Sequence, residues 1–423
     1  MLRACDIKKV VDVVASRITI DKFSKVVSRD EIRSNEYNLN IPRYVDSSEK
    51  TENWDIYSSM FGGIPERELA DLHEYWEAFP TLKETLFHQN NEEYCDLAVE
   101  DLSAAVNTHP SIIAFLSEYA AAFADFEQYL CKELIEGMAT INAAKEEATL
   151  SENVFSRLST IQLIDRYGVY QLLDDDWNQI AIDLEIIQTE GFSATKQVDP
   201  NMVLKKKDGK EQEVQEGWIG HVIPFDLVQE TLLSDELLAL REKELTLSEV
   251  VSETEGLLDE LSEEDKSKGF VNEAQDAFVA AEIKKAIKAQ DAEPDTLAVL
   301  IKADKLLTEE KIIKKQIKDD MAKLHIKTKE TIEKMSDETA IDLIKEKWIT
   351  PLVRSIGSMP QTVINELIVK LAALNKKYET TFEDVEKQIS ETEKSLIHQI
   401  DQLTGGDFDM KGLAAFKKLL GGE

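Results

Sequence analysis

The chain has 423 residues, of which 43% are hydrophobic and 31% charged, and its formal net charge is −34. This composition excludes general disorder and a spanning segment, since apolar residues are plentiful but no run approaches the roughly 20 that cross a membrane. The charge is uneven: residues 1–50 carry +2, residues 51–300 carry −35 and residues 301–423 carry −1, so the middle of the chain repels DNA phosphates.

The start of the chain predicts a helix followed by an irregular segment. Apolar side chains recur at helical spacing at Ile7, Val10, Val11 and Val14. Residues 23–27 predict a short strand, and Ser28 with a Glu three residues later is a capping box that predicts a helix over 31–34. Residues 35–46 are rich in Asn and contain a Pro, which favours an extended segment or loop.

The middle of the chain predicts two regions after a linker over 47–65. Residues 51–150 form an acidic region with helical spacing, including a second capping box that begins at Thr81. Residues 151–225 predict a small α+β unit, because β-branched residues flank a hairpin turn at 207–210.

Residues 226–423 predict long helices. Residues 361–403 carry a near-heptad seam of the coiled-coil type, and a short amphipathic helix follows it. Packing within the chain and packing on a partner explain such a seam equally well. The candidates for a subunit interface are Leu367, Leu371, Leu374, Val385, Ile389, Leu396, Ile400, Leu403 and Phe416.

The common catalytic and metal-binding signatures are absent from the sequence. There is no GxxxxGK[ST], GxGxxG, HExxH or GxSxG pattern. The six histidines are scattered, and the acidic run at 174–176 is more typical of a solvated helix end than of a cation site. Three widely spaced cysteines without a CxxC pair indicate a reducing compartment, and the start of the chain lacks the apolar run of a signal peptide. We therefore predict a cytoplasmic protein with no metal site and no membrane association.

Three stretches carry a resemblance to a known family. Residues 23–32 and the loop Asn38, Leu39, Asn40, Ile41, Pro42, Arg43 and Tyr44 within 35–46 closely resemble the end of the methyltransferase domain in type I restriction-modification DNA methyltransferase (modification, or M) subunits. Residues 163–172 and 403–413 resemble the longer members of that family. The resemblance touches the start, middle and end of the chain.

The resemblance implies an activity and a set of partners. M subunits transfer a methyl group from S-adenosylmethionine to the exocyclic amine of adenine in DNA. Two M subunits join one specificity subunit, which reads the target sequence, and a restriction subunit can be added. The C-terminal helices of the M subunit pack on the specificity subunit. Because the specificity subunit reads the target, the resemblance implies that the chain contacts DNA as part of the complex.

The chain departs from the family in its catalytic motifs. The family carries a glycine-rich FxGxG motif for the cofactor and an Asn-Pro-Pro-Phe/Tyr motif that holds the flipped adenine. Neither motif occurs in this sequence. We therefore assign no catalytic or cofactor-binding residue, and we expect a truncated or split M subunit that binds no cofactor and does not methylate DNA alone.

Together these observations predict a mainly α protein with four parts. Residues 1–50 would be the edge of a methyltransferase domain, 51–150 a helical region, 151–225 a small α+β insertion and 226–423 a region for subunit assembly. Two alternatives come from other functional classes. One is an acidic mimic of DNA that occupies a basic cleft, and the other is a helical scaffold that binds a basic partner.

Overall fold

The computed structural model describes residues 2–47, 53–207, 210–290 and 292–421, with the backbone alone at 206, 207, 210, 211, 263 and 267. Within those ranges the protein is mainly α, as predicted, and its longest helices lie in the C-terminal part. Every helix in the described ranges is either too short or too polar to span a bilayer.

The helices have the following bounds in chain order. They are α1 (Ala4–Ser16), α2 (Arg29–Ser34), α3 (Ile56–Phe61), α4 (Glu66–Ala70), α5 (His73–Ala78), α6 (Leu82–Leu86), α7 (Leu102–Asn107), α8 (Pro110–Ala122), α9 (Phe126–Leu130), α10 (Ala143–Arg157), α11 (Arg166–Glu190), α12 (Phe225–Thr231), α13 (Ser234–Asp259), α14 (Glu263–Asp265), α15 (Ala280–Ala289), α16 (Pro294–Lys334), α17 (Asp337–Tyr378), α18 (Phe382–Asp401) and α19 (Asp407–Leu419). Short 3-10 segments cover Ile41–Arg43 and Phe192–Lys196, and π-helical turns cover Cys131–Glu136 and Lys266–Phe270.

Two small antiparallel sheets complete the described secondary structure. Their strands are β1 (Ile64–Pro65), β2 (Phe87–Gln89), β3 (Tyr94–Leu97), β4 (Val198–Lys207) and β5 (Lys210–Gly220). The first sheet has the order β1-β3-β2, and the second is a two-stranded ribbon of β4 and β5. The sequence predicted the ribbon, but its turn at 208–209 lies outside the described residues.

The chain forms two compact units, each built from separate stretches of sequence. Unit 1 comprises Met1–Tyr129, Ala144–Asn178 and Leu352–Glu423, and unit 2 comprises Leu130–Ala143 and Gln179–Pro351. The division into four consecutive domains that the sequence suggested remains a prediction.

Local signals at the start of the chain were mostly correct. The first predicted helix is α1, and the Ser28 hydroxyl caps α2 by accepting the N–H of Glu31 at 3.1 Å. The strand predicted at 23–27 is wrong, because this stretch holds only part of an isolated bridge between Ile20 and Ser24. Of the two conformations expected for residues 35–46, the structure has the loop, which contains a short 3-10 turn that begins at Ile41, the residue before the Pro.

The region 65–150 is less helical than predicted. Its residues 87–97 form β2 and β3, and Phe87 pairs with Leu97 in the sheet. The capping box expected at Thr81 is wrong: this residue has a left-handed φ of 65°, and its side chain caps nothing at the start of α6. A matching pair of residue types is therefore insufficient, since a side-chain cap also depends on the backbone conformation.

The core of unit 1 forms where α17 packs with the shorter helices. Phe79, Leu82 and Phe126 are fully buried, as are Leu367 and Leu371 near the end of α17. Burial on this scale is the main stabilising contribution to the unit.

The core of unit 2 includes the long helices α13 and α16, which pack on each other, and α15, which packs on α16. The ion pairs of Lys243 with Asp320 and of Lys327 with Glu236 show that α13 and α16 run antiparallel. The buried members of this core recur at helical spacing along α16, namely Leu300, Ala303, Leu306, Ile313, Ile317 and Leu324. The opposite face of α16 is polar and exposed, as amphipathic spacing requires.

A charged group lies deep in unit 2. Asp183 is 2% exposed, and its carboxylate pairs with the ammonium of Lys347. The same carboxylate accepts the indole N–H of Trp348 at 2.8 Å and the amide of Gln179 at 3.2 Å. Lys347 also donates to the carbonyl of Val222 at 2.6 Å, so the buried charges are paired and hydrogen-bonded.

The β4–β5 ribbon is fixed to α16 at its base. The backbone N–H of Trp218 donates to His325 Nε2 at 2.9 Å, and Lys329 Nζ lies 3.7 Å from the centroid of the Trp218 ring. Gly217 has φ +76°, and a Cβ there would lie 2.5 Å from His325 Nε2. Glycine is therefore required at this position, because any side chain would be strained at this positive φ and would clash with His325.

Candidate functional site

The N-terminal helix is attached to unit 1 by its less apolar side. Cys5 and Val13 are buried, and the backbone N–H of Cys5 donates to Gln171 Oε1 at 3.0 Å. Lys9 Nζ lies 5.8 Å from the centroid of the Tyr167 ring, within the range of a cation–π contact. α1 is thus held against residues of α11 that belong to the same unit.

The apolar stripe that predicted α1 faces solvent. Ile7, Val10, Val11 and Val14 are all exposed, with Val14 at 69%. We call these four side chains the N-terminal apolar face. A helix usually buries its apolar stripe, and a contiguous exposed patch indicates a binding surface. The face is therefore a candidate docking surface.

The loop identified in the sequence, residues 38–44, projects apolar side chains in the same way. Leu39 and Ile41 are exposed, and Arg43 is exposed as well. The side-chain oxygen of Asn38 accepts the N–H of Asn40 at 2.9 Å, and the Tyr44 hydroxyl donates to the carbonyl of Asn38 at 2.6 Å. These local hydrogen bonds fix the loop, so its exposed side chains are held ready for a contact.

A polar cluster in unit 1 fixes the end of α17. The backbone N–H of Asp55 donates to the Tyr378 hydroxyl at 3.2 Å, and Lys377 pairs with Glu68 at 3.0 Å. Burial opposes a charge on Asp55, but its hydrogen bonds to Ser58 and neighbouring groups keep the pKa of its carboxyl below the ordinary value. Burial and Glu68 raise the pKa of Tyr378. The cluster anchors the residues that precede α3 to the C-terminal end of α17.

The interface candidates from the sequence divide into two groups. Leu367, Leu371 and Ile400 are buried within the chain, and Leu374 and Leu396 are half-buried. The exposed candidates are Val385, Ile389, Leu403 and Phe416. The structure therefore brings the first part of the seam into the core of unit 1 and leaves α18 and α19 with an outward apolar surface.

α19 carries two exposed apolar side chains that were not among the interface candidates. Phe408 is 88% exposed and Leu419 is 85% exposed. Leu413, Lys417 and Leu420 are half-buried on the other side of the helix, where Lys417 pairs with an aspartate at the end of α18. Phe408 lies five residues before Leu413, the first of the apolar residues that predicted the helix, so their spacing of three or four residues did not point to it.

The described side chains offer little that is reactive. No group of three or more His, Cys, Asp or Glu among them is placed to hold a metal ion. Burial, followed by the Glu66 carboxylate that accepts its hydrogen bond at 3.2 Å, raises the pKa of the Cys95 thiol to about 11. That thiol stays protonated near neutral pH and is a poor nucleophile. The candidate site is accordingly a set of binding surfaces.

The start of the chain is similar to a known protein family. Residues 1–53 match the family model described as N-6 DNA Methylase. A type I restriction enzyme MjaVII methylase subunit from Methanocaldococcus jannaschii is 39% identical to the chain over 71 residues. That alignment covers 16% of this chain and 12% of the relative. No solved structure gives a significant match.

The N-terminal part of the chain is therefore M-subunit-like. The matched segment contains both the N-terminal apolar face and the loop at 38–44. These similarities favour a restriction-modification methyltransferase context over an acidic DNA mimic or an unrelated scaffold.

Proposed function

We propose that this chain, M-subunit-like at its start, is the assembly part of the modification subunit in a type I restriction-modification complex. The complex would transfer methyl groups from S-adenosylmethionine to the exocyclic amine of adenine in DNA and so protect host DNA. The chain would supply the end of the methyltransferase domain and the helices that join the specificity subunit. A second modification subunit and a restriction subunit would complete the complex.

The N-terminal apolar face carries this proposal. It lies in the segment that matches the methylase family, and its four side chains are between 47% and 69% exposed. Covering such a stripe is favourable by about 25 cal/mol per Å² of apolar surface. A catalytic part of the methyltransferase, in the same or another polypeptide, is the partner that fits the family match.

The residues present do not fit the cofactor. The nearest approach to a glycine-rich motif is Gly62-Gly63 after Phe61. In the structure these glycines end α3 and lead into β1, both at positive φ, and a Cβ on Gly63 would lie 3.4 Å from the Cβ of Tyr94. The two glycines allow the chain to turn from α3 into β1, so they have a structural role here. This supports a cofactor site outside this chain.

Reconstitution tests the proposed function. The full chain is mixed with the catalytic part of a type I modification subunit and the specificity subunit from the same source. Transfer of tritiated methyl groups to target DNA is then measured. We expect transfer only when all three components are present, and none with the chain alone. Equal transfer with and without the chain would contradict the proposal.

The exposed surface of α18 and α19 is the proposed contact for the specificity subunit. Replacing Ile389 and Phe416 with Asp should reduce co-purification of that subunit at least tenfold, because each change places a charge in a desolvated contact. The control is Val369→Asp, since this valine is 66% exposed on α17 outside the proposed surface. Unchanged recovery of the specificity subunit by the double variant would remove these helices from the interface.

A further inference from the structure

A strip of lysines occupies the outward face of α16. Lys311, Lys314, Lys315 and Lys318 are all exposed, and no carboxylate lies between the first and the last of them. At roughly 100° per residue the four positions fall within about one third of the helix circumference, opposite Ile313 and Ile317 in the core. They span about 10 Å along the helix axis. We call these four residues the lysine strip.

The lysine strip destabilises the isolated helix. Its members are neighbours at i,i+3 and i,i+4, where like charges repel. Lys314 pairs with Glu310, whereas Lys311, Lys315 and Lys318 have no ion pair within the described parts of the chain. Three of the four ammonium groups therefore have no ion pair in the described chain, and this excess of positive charge is available to a partner of opposite charge.

Two carboxylates flank the lysine strip and offset only part of its charge. Glu310 pairs with Lys314, and the exposed Asp319 directly follows Lys318, so four ammonium groups face two carboxylates. Asp320 lies on the side of α16 that faces α13, where it pairs with Lys243 at 2.6 Å and Lys323 at 2.9 Å. The excess of negative charge on the chain also acts weakly at a distance, because charges are screened beyond about 10 Å at 0.1 M salt. The strip therefore keeps its positive potential at close range.

We propose that the lysine strip contacts the phosphate backbone of duplex DNA, an inference that rests on the proposed function and deepens it. A convex helix edge with point charges about 5 Å apart fits a row of phosphates, to which Lys binds as a point charge. The strip has no Arg and no aromatic side chain, which read base edges or stack on bases. The contact is therefore independent of sequence and positions the DNA while the specificity subunit reads it.

Salt-dependent binding tests this proposal on the full chain. The probe is a fluorescent 30-base-pair duplex of arbitrary sequence, and anisotropy is measured between about 75 and 300 mM NaCl. The variant is Lys311→Glu, Lys315→Glu and Lys318→Glu together. The matched control is Lys288→Glu, Lys387→Glu and Lys394→Glu. These lysines are exposed, have no ion pair among the described residues and give the same change in net charge. Circular dichroism checks folding, and a triple Lys→Gln variant of the strip replaces the Glu variant if that one unfolds.

We expect the strip variant to bind at least tenfold more weakly at 100 mM salt. The slope of log affinity against log salt should fall by about 2 to 3, since each phosphate contact contributes about 0.9. The control should stay within about twofold of the unchanged chain. Equal binding by the strip variant, or no binding by the unchanged chain, overturns the proposal. Binding of polyglutamate in place of DNA also overturns it, in favour of an acidic protein.

The outcome is distinguishable from the fate of the proposed function. The binding assay contains neither cofactor nor other subunits, and the methyl transfer assay does not depend on this titration. A chain that binds DNA through the strip but supports no methylation overturns the proposed function alone.

Discussion

Replacing Asp183 with Ala is expected to lower the free energy of unfolding of unit 2 by about 3–5 kcal/mol. The change leaves the ammonium of Lys347, whose side chain is 14% exposed, without its counter-ion, and the indole N–H of Trp348 without its acceptor. An unpaired buried charge is far costlier than the pair that it came from. Urea denaturation followed by far-UV circular dichroism and tryptophan fluorescence measures the loss.

Two further variants separate the charge from the packing around it. Asp342→Ala breaks an exposed pair with Lys345 at 3.8 Å and should cost less than about 1 kcal/mol. Replacing Asp183 with Leu and Lys347 with Met together should recover most of the lost stability, because neither charge then remains buried. A loss below about 1 kcal/mol for Asp183→Ala would mean that water reaches the pair.

Charging the N-terminal apolar face is expected to abolish methyl transfer in the reconstituted mixture. In Val11→Asp with Val14→Asp, two carboxylates would have to lose their water against the catalytic part, which costs several kcal/mol. Both side chains are exposed in this chain, so its own stability should change by less than about 0.5 kcal/mol. The assay is the tritium transfer already described, with a thermal melt of each variant.

The control for this prediction lies on the same helix. Val13 is buried, so Val13→Asp should disturb the seating of α1 and lower the melting temperature, whereas the double variant should not. Full methyl transfer by the folded double variant would contradict docking through this face.

Features with a local cause could be predicted from the sequence. Ser28 caps α2 because the bond joins residues three apart. The hairpin of β4 and β5 follows from a turn sequence flanked by Val203 and Val214, which pair in the ribbon. The strands β2 and β3 are only three and four residues long, and their pairing depends on the rest of the unit. Such pairing leaves no periodicity in the sequence.

Which apolar side chains are buried could not be predicted from the sequence. Leu367 and Ile389 fit the same heptad seam, yet the first is fully buried and the second is exposed. The difference arises because the shorter helices of unit 1 cover α17 and leave α18 largely bare. The same holds for α1. The spacing predicted that Val10 would lie in the buried apolar stripe, yet Val10 is exposed and Val13 is buried.

The attachment of α1 through Cys5 provides a built-in reporter. Cys5 is 5% exposed, and burial raises the pKa of its thiol, so the thiol reacts with alkylating reagents only when the helix lifts from α11. Cys95 reacts slowly because the pKa of its thiol is high. The alkylation rate of the half-buried Cys131 serves as the internal reference. The alkylation rate of Cys5, read by mass spectrometry, therefore reports how often the N-terminal helix detaches, and a bound catalytic part that clamps α1 should slow it.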